Sequence, residues 1–249
     1  MTMIKHLLKS TLLLATLTMG SNAADIMLDP AKLNEIKANT KTLQQPTLTL
    51  KEGIDKDSVY FLKIEAKSQR GSRVITAFVD KKTGATYFGR GFDKDGKQMA
   101  FAKDTKLIKD AITFSYGSGK KELYLLTDPE CPYCVKFEQY AKGKLDDYRV
   151  HVILYPLPFH KKAPAMVEWV LQGKDDAEKR ERFEAVTVGK SQKYTSLIKD
   201  EKKPFVYSPK AKESVEKAKQ AFVEFGARGT PATYGGDFNP IPRSKLFTK

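Results

Sequence analysis

The feature that most constrains this chain is its single pair of cysteines, Cys131 and Cys134, which are separated by two residues. They follow the apolar run 123–126, which predicts a buried strand. A CxxC pair directly after a strand indicates a helix start, where free backbone N–H groups and the helix dipole favour thiolate. We therefore predict that Cys131 is an exposed nucleophile and that Cys134, one turn further on, is the buried resolving thiol. Pro132 suits the first helical turn, which needs no N–H partner.

Three other uses of a CxxC pair are less consistent with this chain. A zinc site needs about four ligands, and beyond the two cysteines the exported part of the chain offers only His151 and His160. A c-type haem site needs histidine directly after the second cysteine, and Val135 stands there. A purely structural disulfide would close a very short loop and would constrain the unfolded chain little. We therefore predict no metal and no cofactor.

The first 23 residues have the pattern of a secretory signal peptide. Lys5 and Lys9 give a basic start, residues 11–19 are apolar, and the small residues 21–23 form a cleavage site. We place the cut after Ala23. The alternative is a membrane anchor, but the apolar stretch is short for a bilayer. An exported protein with only two cysteines uses them for chemistry, since it has no other pair to form structural bridges.

The chain is basic, with a net charge of +14 that falls by two when Lys5 and Lys9 leave with the signal peptide. The basic residues are spread along the sequence in runs no longer than pairs such as Lys161-Lys162. Nucleic-acid binding proteins more often cluster such residues with aromatic ones, so we predict no nucleic-acid partner. A solvated basic surface, or attraction to acidic substrates and anionic envelope surfaces, explains the charge.

The pattern of elements divides the exported chain into three parts. Residues 24–97 predict a helix followed by a meander of antiparallel strands, including one over 85–92, with no catalytic constellation. A small sheet of this kind can pair its edge with a copy of itself, which suggests a dimerisation role. Residues 98–111 contain good helix formers and predict a linker helix. Residues 112–249 contain the CxxC strand and helix, a further strand and several helices.

A second motif, Gly229-Thr230-Pro231-Ala232, opens a strand about a hundred residues after the dithiol. We predict that the Thr230–Pro231 bond is cis and faces the thiols, because cis bonds are nearly confined to proline. The Thr230 backbone would then be free to pair with an extended substrate. Trp169 lies in a helical segment and is interpreted as a core residue.

These features together resemble the DsbC/DsbG family of dimeric periplasmic thiol–disulfide oxidoreductases and isomerases. The resemblance rests on the exported start, the small first domain, the linker helix, the segment 127–134 and the Thr-Pro motif. The Pro132-Tyr133 dipeptide resembles DsbG more than DsbC. The resemblance implies an α+β protein with an N-terminal cystatin-like dimerisation domain, a linker helix and a C-terminal thioredoxin-like catalytic domain with a helical insertion.

The resemblance also implies a V-shaped homodimer in the periplasm that acts on cysteine-containing exported proteins. It implies that Cys131 attacks substrate disulfides, that Cys134 resolves them, and that a membrane protein of the DsbD type, or alternatively the DsbB type, sets the redox state. Two departures stand out. The second cysteine pair of some relatives is missing, and the segment 239–242, with two prolines, leaves little room for a final strand and helix.

The sequence leaves the direction of the chemistry open. Disulfide isomerisation or reduction is the leading interpretation, and disulfide formation by the reverse reaction is an alternative. A further alternative is the reduction of sulfenic acids on single exposed cysteines. A non-enzymatic chaperone is the alternative from a different class.

Overall fold

The computed structural model describes residues 26–68, 71–96, 98–200 and 202–247 of the 249-residue chain. These residues form two separate sheets, of five and four strands. The predicted signal peptide, residues 1–23, lies outside the described residues. Among the helices within the described ranges, none is long and apolar enough to cross a membrane.

The N-terminal part is a five-stranded antiparallel sheet with one helix packed on a face of it. The helix α1 begins where Asp29 accepts a hydrogen bond from the Lys32 backbone N–H at 2.7 Å, followed by Pro30 in the first turn. Its Leu33 and Ile36 are buried against strand residues such as Leu62. The strands lie side by side in chain order. The elements are β1 (Ile26–Met27), α1 (Pro30–Asn39), β2 (Leu48–Lys56), β3 (Val59–Ser68), β4 (Gly71–Asp80) and β5 (Thr86–Phe88).

The edge strand β5 is shorter than the predicted strand over 85–92. It ends at Phe88 because Gly89 has a φ of 152°, a conformation open to glycine and unfavourable for other residues. Among the described residues, β5 pairs with β4 alone, so one side of β5 has no neighbouring strand. Tyr87, Phe88 and Phe92 are all exposed along this edge.

The linker helix is also shorter than predicted. The prediction over 98–111 is wrong in extent, since α2 spans only Thr105–Asp110 and starts where Asp104 caps the Leu107 N–H at 2.9 Å. Upstream, the Phe101 ring stacks on Phe61 of β3 at 4.6 Å. Residues 98–104 therefore pack against the N-terminal sheet and do not form a helix. Tertiary contacts override helix propensity in this segment.

The C-terminal part is a four-stranded mixed sheet in the order β6-β8-β7-β9. Strands β7 and β8 are parallel, and the helix that begins at the dithiol connects them. The outer strands β6 and β9 run antiparallel to their neighbours. The elements are β6 (Phe114–Tyr116), β7 (Lys121–Thr127), α3 (Pro132–Ala141), β8 (Tyr148–Leu154), α4 (Ala163–Leu171), α5 (Asp176–Thr187), α6 (Pro209–Phe225), β9 (Ala232–Gly235) and α7 (Arg243–Leu246).

Helices cover both faces of this sheet and enclose two apolar cores. One core packs α3, α4 and α5 on the sheet, with Trp169 partly buried at its margin. The other core packs α2 and α6 on the opposite face, and Ile108 of α2 is fully buried there. Helices α4 and α5 are the predicted helical insertion. The predicted α+β class is therefore confirmed, with a small sheet domain followed by a mixed sheet that carries the dithiol.

After β9, the described part of the chain contains short structural elements. A single bridge pairs Tyr234 with Pro240, and the Ile241 N–H donates to the Thr233 carbonyl at 2.8 Å. The four-residue helix α7 follows, and Phe247 packs against Phe137 with ring centroids 5.7 Å apart. The limited room noted in the sequence is thus filled by a bridge and one helical turn, which close the core beside α3.

A buried ion-pair cluster joins the two parts of the molecule. Lys63 of β3 donates to both carboxylate oxygens of Glu224 on α6 at 3.1 Å and to Glu52 at 2.7 Å. Glu224 also accepts from the Asp104 N–H at 3.1 Å, and its carbonyl accepts from Lys103 at 2.6 Å. We call this group the Lys63–Glu224 cluster. Each charge in it has an opposite charge or a hydrogen bond, as buried charges require.

Candidate active site

The dithiol lies where the central strand β7 meets the helix α3. The strand ends at Thr127, and Cys131 is the N-cap of α3, with φ −67° and ψ 120°. Pro132 occupies the first turn, as the sequence predicts. No side chain caps this helix, so the Cys131 thiol occupies the place of a capping group at the positive end of the helix dipole.

The surroundings of Cys131 differ in one respect from the prediction. The sequence predicts an exposed thiol, and this is wrong, because Cys131 is only 4% exposed. Its Sγ lies 3.5 Å from the backbone carbonyl oxygen of Thr230, on the loop that precedes β9. Tyr133, two residues after Cys131, is 63% exposed. A substrate must therefore approach the Cys131 sulfur beside the Thr230 loop, which contacts it.

Cys134 lies one turn into α3 and is completely buried. Burial raises the pKa of its thiol to about 12, against the lowering effect of hydrogen bonds from Thr127, Thr230 and the Asp128 N–H. The Asp128 N–H reaches the sulfur at 3.4 Å. Both cysteines are thiols in this structure. Near neutral pH the Cys134 sulfur is therefore protonated while the dithiol is reduced.

The hydroxyl groups of Thr127 and Thr230 face the same sulfur. Among the described residues, neither hydroxyl oxygen has a conventional hydrogen-bond partner, although both oxygens are buried. Both hydroxyls lower the pKa of the Cys134 thiol, which indicates that they lie near its sulfur. Buried polar groups without partners are rare in proteins and need an explanation. Here the neighbouring group is the Cys134 sulfur, whose thiolate form both hydroxyls would stabilise.

The Thr230–Pro231 peptide bond is cis, as the sequence predicts. The strand β9 follows it directly and pairs with β7, with Ala232 opposite Leu126. This pairing holds the cis-proline loop beside the N-terminus of α3. The structure therefore brings Cys131, Cys134, Thr230 and Pro231 together. Pro132 and Tyr133 lie on the exposed rim of the same site.

Asp128 supports the loop between β7 and α3 and is not among the predicted site residues. Its buried carboxylate accepts from the backbone N–H of Leu157 at 2.6 Å and of Glu130 at 2.8 Å, and it lies 2.8 Å from His160 Nδ1. Burial raises the pKa of Asp128, although these hydrogen bonds lower it in part. The Asp128–His160 pair thus ties the dithiol loop to the segment after β8.

Glu130 also supports this loop and was missed by the sequence reasoning. Its Oε2 accepts from the backbone N–H groups of Lys162 and Ala163, both at 2.6 Å, at the start of α4. The carboxylate satisfies free N–H groups of a helix that begins 33 residues later in the chain. No local pattern in the sequence shows this contact. A carboxylate next to a CxxC pair is the only signal that could have drawn attention to Glu130.

A second titratable group lies further along α3. Glu138 is largely buried, and burial raises the pKa of its carboxyl to about 7, against the lowering effect of Arg180 and with a further rise from Glu184. Its Oε1 has no hydrogen-bond partner among the described residues. Arg180 stacks on the Tyr116 ring at 3.4 Å, and burial and Glu138 raise the pKa of Tyr116.

The histidines considered for a metal lie in different places. His160 pairs with Asp128 near the dithiol, whereas His151 lies on β8, where its Nδ1 is 2.8 Å from the Ser115 hydroxyl and its Nε2 bonds Glu122. Within the ranges that the structure describes, no group of three or more His, Cys, Asp or Glu side chains is arranged to hold a metal ion.

Comparisons with known proteins match the C-terminal part of the chain most consistently. The family model of a thioredoxin-like domain matches residues 108–237. A search of curated proteins by sequence found no match. Among solved structures, DsbG of Helicobacter pylori is 15% identical, with 82% of this chain and 98% of that chain covered and a TM-score of 0.39.

Two other solved structures are similar over about half of this chain. ScsC of Proteus mirabilis, in a compact conformation, is 22% identical over 58% of this chain and 74% of that chain, with a TM-score of 0.39. The thiol-disulfide exchange protein alpha-DsbA2 of Wolbachia pipientis is 16% identical over 57% of this chain and 91% of that chain, with a TM-score of 0.38.

The family match covers more than half of the chain and includes the strand, dithiol helix and cis-proline loop described above. It confirms the thioredoxin-like part of the resemblance drawn from the sequence. A dithiol at a helix N-terminus beside a cis-proline loop is the arrangement that exchanges disulfides. The chain therefore belongs to the thioredoxin-like family, and it is a thiol–disulfide oxidoreductase.

Proposed function

We propose that this protein is exported to the periplasm and rearranges or reduces the disulfides of exported proteins. The observation that carries the proposal is the different position of the two thiols, since both are buried but only Cys131 lies at the end of the helix. Cys131 lies at the helix N-terminus next to the Thr230 carbonyl, whereas Cys134 is fully enclosed and its pKa is raised to about 12. Cys131 would therefore attack the substrate disulfide, and Cys134 would react only in a later step.

In the first step the Cys131 thiolate attacks one sulfur of a substrate disulfide. A new S–S bond joins Cys131 to that sulfur, and the other substrate sulfur leaves as a thiolate. An extended substrate segment would pair with the backbone of Thr230, as a strand added beside the cis-proline loop. Because the Thr230 carbonyl oxygen is 3.5 Å from Cys131 Sγ, a segment paired with Thr230 would lie next to the attacking sulfur.

The second step decides between two outcomes. If Cys134 loses its proton and attacks Cys131, the substrate leaves reduced and the enzyme is left with a Cys131–Cys134 disulfide. If a substrate thiolate attacks its own mixed disulfide first, the substrate leaves with a new pairing and the enzyme is reduced again. The raised pKa of Cys134 slows the first route near neutral pH. This favours isomerisation, with reduction as the slower outcome.

The proposal is tested on a secreted model protein with scrambled disulfides, incubated with the mature chain at neutral pH. We expect recovery of native pairing with the wild-type protein and none with Cys131→Ser. Cys134→Ser should accumulate mixed disulfides that can be isolated on gels without reductant. Full recovery with the Cys131→Ser, Cys134→Ser double variant would contradict the proposal and favour a chaperone.

The direction of the chemistry in the cell is tested separately, by trapping the thiols in freshly isolated periplasm. Isomerase or reductase activity requires Cys131 and Cys134 to be mostly reduced, which would fit a membrane partner of the DsbD type. A mostly oxidised pair would instead assign the protein as an oxidase supplied by a partner of the DsbB type.

We further propose that the protein is a homodimer held by the N-terminal sheet. The free side of β5 and the exposed rings of Tyr87, Phe88 and Phe92 support this, since such edges pair readily with a copy of themselves. Phe88→Asp should convert the dimer to a monomer in sedimentation. Val206→Asp, at an exposed apolar residue of the other domain, is the matched control. A wild-type protein that sediments as a monomer would contradict the proposal.

A further inference from the structure

A groove of about 520 Å³ lies between α3 and α7, on the outer side of the dithiol helix. Three of the lining residues lie on one face of α3, and the other three lie on α7 or directly after it. The residues that line it are Lys136, Phe137, Tyr140, Arg243, Ser244 and Phe247. The site chemistry derived above uses none of them. We call this feature the α3–α7 groove.

Three aromatic rings form the apolar surface of the α3–α7 groove. Phe247 packs on Phe137 with ring centroids 5.7 Å apart, and it meets Tyr140 edge to face at 4.8 Å. Phe137 is buried in the core, whereas Tyr140 is exposed. The rings are therefore fixed by the core on one side and open to solvent on the other. Such a surface can hold an apolar side chain or the stem of a longer one.

Exposed cations surround these rings. Lys136 lies over the Tyr133 ring at 5.9 Å, Lys144 lies over the Tyr140 ring at 3.4 Å, and Arg243 enters from α7. All three are exposed, and no carboxylate of the described residues lies within ion-pair distance of them. Most other charged helices here carry ion pairs three or four residues apart, as Arg182 does with Glu178. The groove is thus locally positive and uncompensated.

The groove starts close to the reacting sulfur. Lys136 is five residues after Cys131 on the same helix, which corresponds to about 7.5 Å along the axis. Tyr140 is roughly one turn further. An extended chain advances about 3.3 Å per residue. This axial distance is the least that a substrate must span, because Lys136 also lies about 140° round the helix from Cys131. Residues at least about two to four positions from the substrate cysteine would therefore enter the groove.

We propose that the α3–α7 groove binds an acidic segment of the protein that exchanges disulfides with Cys131. The inference rests on the proposed function and specifies its partner. Carboxylates two to four residues from the reacting cysteine would pair with Lys136 and Arg243, and an apolar neighbour would lie on Tyr140 and Phe247. A peptide is favoured over a nucleic acid because the groove lies beside a thiol, which reacts only with a partner that carries sulfur.

The first arm of the test measures binding without redox chemistry. The probe is a fluorescein-labelled peptide that is rich in Asp and Glu, contains one Leu and has no cysteine, and its anisotropy is titrated with the full mature chain. We expect Lys136→Glu, Arg243→Glu to bind it about tenfold more weakly than wild type. The control Lys82→Glu, Lys109→Glu changes the net charge equally, but Lys109 lies on α2, across the sheet from α3.

The second arm measures exchange with two disulfide-bonded peptides that differ only in acidic or serine residues beside the cysteine. The wild-type protein should prefer the acidic peptide about tenfold, and the groove variant should lose that preference. Equal losses in the groove and control variants, or tighter binding of a single-stranded oligonucleotide, would overturn the proposal. Binding that follows the groove but no exchange with either peptide would instead remove the oxidoreductase function and leave the groove assignment intact.

Discussion

Two sets of buried polar groups in the described part of the molecule differ in how many hydrogen-bond partners they have. In the Lys63–Glu224 cluster, the ammonium of Lys63 meets two carboxylates, and Glu224 also accepts from a backbone N–H. Around the dithiol and on α3, by contrast, the hydroxyl oxygens of Thr127 and Thr230 and one carboxylate oxygen of Glu138 have no hydrogen-bond partner among the described residues. Both groupings are enclosed, but only the first is complete.

The difference in hydrogen bonding distinguishes buried groups that hold the fold together from buried groups that act on the dithiol. A complete buried cluster fixes how its elements pack, and the Lys63–Glu224 cluster joins the N-terminal sheet to α6. Incomplete polar groups cost stability, and they are kept where a changing charge needs them. The sulfur of Cys134 gains and loses a proton during exchange, and the groups around it are in place for that moment. Incomplete satisfaction therefore identifies the site more clearly than burial does.

The largest effect should come from breaking the complete cluster. Lys63→Met leaves Glu224 buried without its main counter-charge, and we expect a loss of about 3 kcal/mol in the free energy of unfolding. Urea unfolding at neutral pH measures it. The double variant Lys63→Met, Glu224→Leu should recover part of the loss, because the buried Glu224 carboxylate is removed together with its counter-charge, while Glu52 and Lys103 each lose a charged partner. A loss below about 1 kcal/mol in the single variant would show that the cluster is not structural.

A pH-dependent effect on the free energy of unfolding should come from Glu138. Its pKa is raised from the ordinary 4.5 to about 7 by burial, so the folded protein binds a proton more tightly than the unfolded chain does. Stability from this group is complete below about pH 4.5 and is lost as pH rises through about 7. Glu138→Gln should therefore be more stable than wild type by about 3 kcal/mol at pH 8.

The control is to compare the stabilities of wild type and Glu138→Gln at low pH. At pH 4 the wild-type carboxyl and the amide of the Glu138→Gln variant are both neutral, so thermal unfolding should give nearly equal stabilities. Glu181→Gln, at an exposed residue of α5, should show no comparable change between the two pH values. If Glu138→Gln and wild type keep the same difference at pH 4 and pH 8, the carboxyl does not titrate as the structure indicates.

The smallest effect on stability, and the most specific effect on chemistry, should come from Thr127. Thr127→Val removes a buried hydroxyl of the incomplete grouping, and we expect stability to change by less than about 1 kcal/mol. Because that hydroxyl lowers the pKa of Cys134, its loss should slow resolution of a preformed mixed disulfide by a few-fold. Thr127→Ser keeps the hydroxyl and should keep the rate. Equal rates in all three proteins would contradict the role of Thr127.

The sequence predicted those parts of the site that depend on local chemistry. Cys131 and Cys134 were identified by spacing alone, Pro132 by its place in the first helical turn, and the cis bond by the Thr-Pro motif. The helix α1 was predicted from Asp29 and Pro30, because capping is a contact between residues three positions apart. Such features involve few residues, and those residues are neighbours in the chain.

The remaining features depend on contacts between distant residues. Asp128 meets His160 across 32 positions, and Glu130 meets Ala163 across 33, which no local pattern reveals. The low exposure of Cys131 arises from a loop 99 residues away. The length of the linker helix was overestimated for the same reason, since Phe101 packs on Phe61 instead of continuing a helix.

The division of roles between the two thiols is tested most directly by alkylation of the reduced, folded protein at mildly acidic pH. Peptide mass spectrometry reads the modification of each cysteine over time. The account predicts that Cys131 is modified first, by approach beside the Thr230 loop, and that Cys134 is modified only after unfolding, because it is fully buried and its thiol is held protonated. Modification of Cys134 before Cys131, or of both at the same rate, would contradict the account.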